Sequence, residues 1–514
     1  METLIDKSPA PEIAEPLHKL SIIEALLSAF HEQNILYCHW KSNENLSASM
    51  LGDTDLDILF DTSQKDKVLF LLKELDFRKF SSLDQKQYKD IEDYIGFDSP
   101  SGKVVHVHAH FRLTMGENYL KGYQLTFEDQ ILQTRVFNSF HGIYHSHPAF
   151  ELILLYFREA LKLRTRDLFL IYLFNKTSYT GRLLQEYKWL KANATQAQVV
   201  AMLQGIVSNY YPILNLILHG TNRKDLFQLS RLVRAEFRNN KLYSPVSALF
   251  SRWYREVMVR TLGKLPKLLD RPMVSRRINP RGGLTVAFLG ADGSGKSTVT
   301  ANLRKTFQQK LDVYSIYFGR GDGTASWART VLSKLKKAVV PARKKTGKVQ
   351  KTDPAGLQKE GFLANLYRCV EALLVAQEKK TNLRRMQEAK QMGMLVICDR
   401  FPQNQIKGFN DGPLLHHLVT SGNLLFRAMA RYEANLYASV KSHSPDLIFK
   451  LIADAQVVEA RKPGDVSLPK LEAKIAGIKE LRFGKNSQVI TIDAAQPLSQ
   501  VLTTVKQEIW KAYA

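Results

Sequence analysis

The stretch LTVAFLGADGSGKSTVT, residues 284–300, decides the fold of the C-terminal half of this chain. Leu284, Val286, Ala287, Phe288 and Leu289 form a short apolar run of the kind a buried parallel strand needs. Gly290, Ala291, Asp292, Gly293, Ser294, Gly295, Lys296, Ser297 and Thr298 then match G-x-x-x-x-G-K-[ST] in full. Gly290, Gly293 and Gly295 allow a backbone path closed to residues with a Cβ, so successive N–H groups turn inward around a phosphate. Lys296 is expected to reach the β- and γ-phosphates of a nucleotide, and Ser297 to offer its hydroxyl to Mg2+. The start of the following helix adds partial positive charge.

Downstream, a second strand is predicted over 313–318, followed by the turn GRGDG at 319–323, where Arg320 is a candidate acceptor contact. The segment 327–351, WARTVLSKLKKAVVPARKKTGKVQK, holds nine basic residues and no acidic one. It reads either as a solvated loop or as a docking surface for phosphates, an anionic polymer or lipid headgroups. A long helical stretch over 361–390 carries Arg368, Arg384 and Arg385. The strand at 394–398 delivers Asp399-Arg400-Phe401-Pro402. A carboxylate at the C-terminal end of a parallel strand points into the crevice where open α/β sheets bind ligands. Asp399 can hold Mg2+ or steer a nucleophile, and Arg400 can grip a phosphate. A strand over 446–452 leads to a helix ending in Arg461-Lys462, the expected lid that brings positive charge over the phosphates on closure. A strand at 488–493 and a helix at 498–510 complete the chain.

Together these elements resemble the thymidylate kinase-like family of P-loop kinases. The resemblance rests on GADGSGKST, CDRFP at 398–402, SPDLIFKLIAD at 444–454 with its EARK helix, and VITIDAAQPLSQV at 489–501. It implies an α/β fold with a five-stranded parallel sheet, use of ATP and Mg2+, and transfer of the γ-phosphoryl to a nucleoside monophosphate. Carried over by position, 290–298 cradle ATP, with Lys296 as phosphate clamp and Ser297 as metal ligand. Asp292 approaches the acceptor sugar, and Asp399 and Arg400 handle metal and phosphate. Arg368 meets the acceptor phosphate, Arg461 and Lys462 belong to the lid, and 493–497 pass beside the adenine. The GRGDGT turn departs from the family's R-E-P-G-G-T type, and the long basic insertion is foreign to it. Both departures imply a changed acceptor pocket, whereas phosphoryl transfer itself needs only positioning and charge at the γ-phosphate.

Upstream, residues 1–16 are polar and proline-rich and are expected to be disordered. A helix with Leu20, Ile23, Leu26, Leu27 and Phe30 at helical spacing follows, then a strand over 35–40. In LGDTDLDILF, residues 51–60, Asp55 and Asp57 stand two apart in a strand-like run and so share a face. Two parallel carboxylates repel unless a cation or donors sit between them, which makes the pair a candidate Mg2+ site. WKSNENL, GDTDLDILF and VVHVHAHFRL are similar to the uncharacterised nucleotidyltransferase group of the polymerase-β-like superfamily, which implies an α+β domain over 17–147. Two departures stand out: Lys41-Ser42 replaces the family's Gly-Ser pair, and His108 stands where a third carboxylate is expected. The alternating His106, His108 and His110 share one strand face, which fits either a transition-metal site or a polar sheet face. Amphipathic helical segments without catalytic signatures fill 148–263 as a bundle. A Pro-, Arg- and Gly-rich linker at 264–283 precedes the kinase-like region, 284–514.

The chain's 514 residues require more than one core, and its +24 net charge points to a polyanionic or phosphorylated partner. Cys38, Cys369 and Cys398 have no metal or disulfide spacing, which suits a reducing cytoplasm. The N-terminus lacks signal-peptide character, and no apolar run approaches the length of a transmembrane span. The function expected is an ATP- and Mg2+-dependent phosphotransferase acting on a small phosphorylated acceptor. The alternatives are a sugar or glycan-end kinase in surface polysaccharide assembly, a nucleic-acid end-processing kinase and nucleotidyltransferase, and a non-enzymatic nucleotide sensor.

Overall fold

The structure, a computed structural model, describes residues 19–164, 167, 181–220, 223–262, 271–319, 362–407, 411–464 and 466–513. Arg320, the basic segment 327–351 and the tail 1–16 lie outside the described residues. The chain divides into an N-terminal unit, 1–80 with 84–260, and a C-terminal unit, 261–514 with 81–83.

In the N-terminal unit, β1 (Tyr37–His39), β2 (Leu56–Phe60), β3 (Arg78–Ser82), β4 (Ile91–Asp98) and β5 (Lys103–His110) share a mixed sheet with β8 (Val136–Asn138) and β9 (Ile143–His145). Their order is β3-β4-β5-β2-β1-β9-β8, with β2 parallel to β5 and β1 parallel to β9. A short antiparallel pair, β6 (Leu113–Met115) and β7 (Tyr123–Leu125), stands apart from it. Alternation along β5 explains its two faces. Val105, Val107 and Ala109 enter a core with Ile23, Phe30 and Leu56, so His106, His108 and His110 fall on the other face. On β2, Asp57 is in register with His108. The predicted strand over 35–40 is realised as the shorter β1, Tyr37–His39.

The helix Pro148–Lys162 is buried along most of its length. Helices Gly181–Asn193, Gln196–Gln204, Tyr210–His219 and Arg223–Glu236 surround it. They share one core with Cys38, Trp40 and Leu59 of the sheet. The bundle therefore covers the second face of the same sheet, and sheet and bundle are one unit. Thr195 and Gln198 close a reciprocal capping box at the start of one of these helices, a local N-terminus signal worth about 1 kcal/mol.

In the C-terminal unit, after the two-residue strand β10 (Arg277–Ile278), β11 (Leu284–Gly290), β12 (Val313–Tyr317), β13 (Leu395–Asp399), β14 (Leu447–Ile452) and β15 (Gln488–Asp493) form a five-stranded sheet ordered β12-β13-β11-β14-β15. Every neighbour is parallel. Helices on both faces leave the central strand fully enclosed, which explains the unbroken apolar run of β11. Val286, Ala287 and Phe288 are completely buried, and Phe288 stacks on Phe449 at 5.2 Å. At the N-terminal rim, Thr285 donates its N–H and hydroxyl to Asp446 Oδ2 at 2.8 and 2.7 Å, and Lys390 pairs with the other oxygen.

Residues 275–283, the end of the stretch read as a linker, are hydrogen-bonded into this unit. The Ser275 N–H and hydroxyl and the Arg276 N–H bond Asp312, and the Asn279 amide donates to Tyr513 O. Pro, Arg and Gly mark turns there without revealing these anchors. The helix after the glycine loop runs Lys296–Phe307. Its buried residues Val299, Leu303 and Phe307 are four apart.

Candidate functional site

The site is built where β11 ends. Gly293 and Gly295 hold φ +96° and +91°, conformations that a side chain disfavours. At Gly290 a Cβ would meet the Ser294 hydroxyl at 2.3 Å and the Leu451 carbonyl at 2.8 Å. The loop these glycines permit delivers Lys296 and Ser297 at the first turn of the helix. Lys296 is 5% exposed and donates to the carbonyls of Gly290 and Ala291 at 2.9 and 2.8 Å. Burial, reinforced by the Arg400 charge, pushes its pKa down to about 8.

Strand β13 lies beside β11, in register from Leu284 with Leu395 to Phe288 with Asp399. That pairing sets Asp399 against the loop. The Ser297 hydroxyl donates to Asp399 Oδ2 at 2.8 Å, while Asp399 Oδ1 is buried with no hydrogen-bond partner. A hydroxyl beside a carboxylate with a spare oxygen is a hard-oxygen donor set, which suits Mg2+. Arg400 follows with φ +69°, and its N–H bonds Phe288 O at 3.1 Å. Its guanidinium pairs with Asp292 and, at 3.6 Å, with Asp411. Burial opposes the Arg400 charge, but the Asp411 and Asp292 carboxylates more than compensate and raise its pKa. Asp292 is held below the usual carboxylate range: burial works the other way and is outweighed by Arg400, Lys296 and Lys474.

A cavity of about 600 Å3 opens over these groups, lined by the loop, Arg400, Tyr317, Arg461, Lys462 and Gln496 among others. Arg461 donates to Ala494 O at 2.8 Å. The basic end of the helix Ala455–Arg461 and the segment after β15 therefore meet at one wall. The structure thus brings together Asp292, Lys296, Ser297, Asp399, Arg400 and Arg461. It does not bring Arg368 to them. That residue is exposed on the helix Phe362–Gln391, where its charge acts on His417, and it does not line the cavity. Asp411 and Lys474 escaped the sequence reading. Lys474 lies 3.6 Å from Asp292, yet in LEAKIAGIKE it reads as one more helix-surface lysine. Asp411 follows a stretch with no periodicity.

In the N-terminal unit, Asp55 and Asp57 separate. Asp57 Oδ1 meets Lys41 Nζ at 2.8 Å and His108 Nδ1 at 2.9 Å. Asp55 pairs instead with His106, whose other nitrogen reaches Asp93. The expected carboxylate pair is therefore divided between two histidines and a lysine. Burial raises the Asp57 carboxyl, but Lys41 and His108 outweigh it and hold the group well below its ordinary pKa. Nearby, Glu151 accepts from the Asn43 N–H and side-chain amide at 3.1 and 2.6 Å. Burial lifts its pKa to about 7 all the same.

No protein-family model matches the chain. Over 229 residues, 44% of this chain and 86% of the relative, it is 29% identical to the uncharacterized ATP-binding protein YghR of Escherichia coli K12. Over 226 residues, 42% of this chain and 88% of the relative, it is 31% identical to the uncharacterized ATP-binding protein YghS of the same strain. Among solved structures, thymidylate kinase from Candida albicans aligns with 45% of this chain and 94% of its own, at 16% identity and a TM-score of 0.27. Among the described residues no helix is long and apolar enough to cross a membrane.

Proposed function

Because the chain belongs to the family of the Escherichia coli ATP-binding protein YghS, we propose that its C-terminal unit is an ATP- and Mg2+-dependent phosphotransferase. It moves the γ-phosphoryl of ATP to a nucleotide or a related phosphorylated acceptor. One observation carries this reading: Lys296, Ser297 and Arg400 line the cavity above a glycine loop, and Asp399 stands behind Ser297, accepting its hydroxyl. In this reading the loop N–H groups and Lys296 hold the β- and γ-phosphates, and Lys296 gives up its two carbonyl contacts to do so. Ser297 and Asp399 are the residues that would hold Mg2+, which would supply positive charge against the phosphates. An acceptor oxygen attacks the γ-phosphorus in line, the bond to the bridging oxygen of ADP breaks, and ADP leaves. Arg400 stabilises the charge on the transferring group, and the lid residues Arg461 and Lys462 exclude water. Asp292 and Asp411 hold the Arg400 fork in place before the substrate arrives.

The test is a panel of nucleoside monophosphates, phosphosugars and oligonucleotides incubated with γ-labelled ATP and Mg2+. Label should pass to one acceptor class with the wild type and to none with Lys296→Ala. ATP binding without transfer to any of them would favour a nucleotide sensor. Calorimetry showing no heat with Mg-ATP would remove the proposal.

A further inference from the structure

The N-terminal unit holds a second constellation that phosphoryl transfer leaves unused. Asp57 Oδ1, His108 Nδ1 and His110 Nε2 stand at the corners of a triangle. Its edges are 2.9 Å from Asp57 to His108, 3.3 Å from His108 to His110, and 3.6 Å from His110 to Asp57. Ligand atoms about 2.0–2.1 Å from a tetrahedral ion lie roughly 3.3–3.4 Å from one another, so the three edges bracket the spacing such an ion requires. The backbone fixes the triangle: His108 and His110 are two apart on β5 and share a face, and Asp57 is in register with His108 on the neighbouring strand. Asp57 is in register without being crowded by Asp55, which is committed to His106.

We propose that Asp57, His108 and His110 form a three-ligand site for a first-row transition-metal dication of the zinc class. Two imidazole nitrogens and one carboxylate suit zinc, cobalt, nickel or iron, whereas magnesium favours oxygen ligands throughout. Three protein ligands leave a tetrahedral ion one position for water or an anionic ligand. The competitor is Lys41, whose ammonium is 2.8 Å from the same Asp57 oxygen. Its flexible stem allows it to swing aside, so metal and ammonium exchange for one carboxylate. Of the alternating histidines, His106 is outside the triangle. Its Nε2 hydrogen-bonds Asp93 at 2.8 Å, and its Nδ1 lies 3.0 Å from Asp55. The site concerns the N-terminal unit alone and stands or falls independently of the kinase reading.

The experiment uses the full chain, stripped with a chelator and titrated with Co2+ in the absence of nucleotide. One Co2+ per chain should bind with the visible absorption of a tetrahedral N/O site, and Zn2+ should displace it. His108→Gln and His110→Asn should each weaken binding at least tenfold, within about the 10–100-fold range seen even for outer-shell changes. Lys41→Ala should bind more tightly than the wild type. Circular dichroism checks that each variant is folded, and Lys41→Ala, which alters only the competitor, keeps the test decisive if a histidine variant is not. Failure to take up one equivalent of metal, an octahedral spectrum, or binding unchanged in both folded histidine variants overturns the site. Equal or weaker binding by Lys41→Ala also overturns it.

Discussion

Replacing Lys296 with methionine should abolish ATP binding and, at the same time, make the ligand-free C-terminal unit more stable. Burial lowers the Lys296 pKa from 10.5 to about 8. A lysine whose folded pKa is depressed costs stability wherever it is protonated in the fold, so the cost is full below pH 8. It fades as pH rises towards 10.5. A gap of about 2.5 units at about 1.4 kcal/mol each amounts to roughly 3 kcal/mol at pH 7. The charged side chain also satisfies the carbonyls of Gly290 and Ala291, and losing those two bonds returns about 1 kcal/mol each. Lys296→Met should therefore gain on the order of 1 kcal/mol at pH 7. The gain should vanish or reverse above pH 10, where the wild-type penalty is gone. Urea unfolding at pH 7 and pH 10, without nucleotide, measures both. Mg-ATP at a hundred times its dissociation constant should add about 2.7 kcal/mol to the wild type and nothing to the variant. A variant destabilised at pH 7, or one still protected by Mg-ATP, refutes the view that Lys296 is a buried charge kept for the phosphates.

Arg400→Ala should reduce turnover by about 100- to 1,000-fold, and Arg400→Lys should recover little, since an ammonium cannot reproduce the fork between Asp292 and Asp411. Steady-state rates with whichever acceptor the labelled-ATP panel identifies decide it. Asp399→Asn should raise the Mg2+ concentration needed for half-maximal turnover while sparing the fold, and a magnesium titration of the initial rate reads this directly. In the N-terminal unit, Glu151 has its pKa raised from 4.5 to about 7. The fold therefore binds its proton more tightly than the unfolded chain does. Stability from this group is present below pH 4.5 and is lost as pH climbs through 7, by up to about 3 kcal/mol. Comparing urea midpoints of wild type and Glu151→Gln at pH 5 and pH 8 isolates the effect, and an identical pH response in both would remove it.

The kinase-like half was legible because its chemistry is local. Nine consecutive residues specify the loop, and the apolar runs before it and at 394–398 announce buried parallel strands. Asp399 and Arg400 could be placed because the end of a parallel strand has a fixed relation to the crevice. Arg368 could not be placed, since a position on a long helix fixes only which face it occupies, and 30 residues of helix leave many places along the axis. Asp411 and Lys474 were invisible for a related reason: Lys474 acts on Asp292, far upstream in the chain, and Asp411 acts on Arg400 across a loop. In the N-terminal half the alternation of β5 correctly placed three histidines on one face. Which of them Asp57 would select depended on strand register, and register is not written in either strand alone.

The clamp between Thr285 and Asp446 divides the central sheet into a fastened rim and a free one. All five strands run the same way, so the fastened rim is where they enter and the free rim is where the glycine loop, Asp399 and the Ala494 segment emerge. Any movement on nucleotide binding should then fall at the outgoing edge, with the incoming edge held by Thr285, Asp446 and Lys390. Amide protection along β11 should grade from slow exchange at Thr285 to faster exchange at Leu289. A bound nucleotide should flatten that gradient by slowing the far end alone.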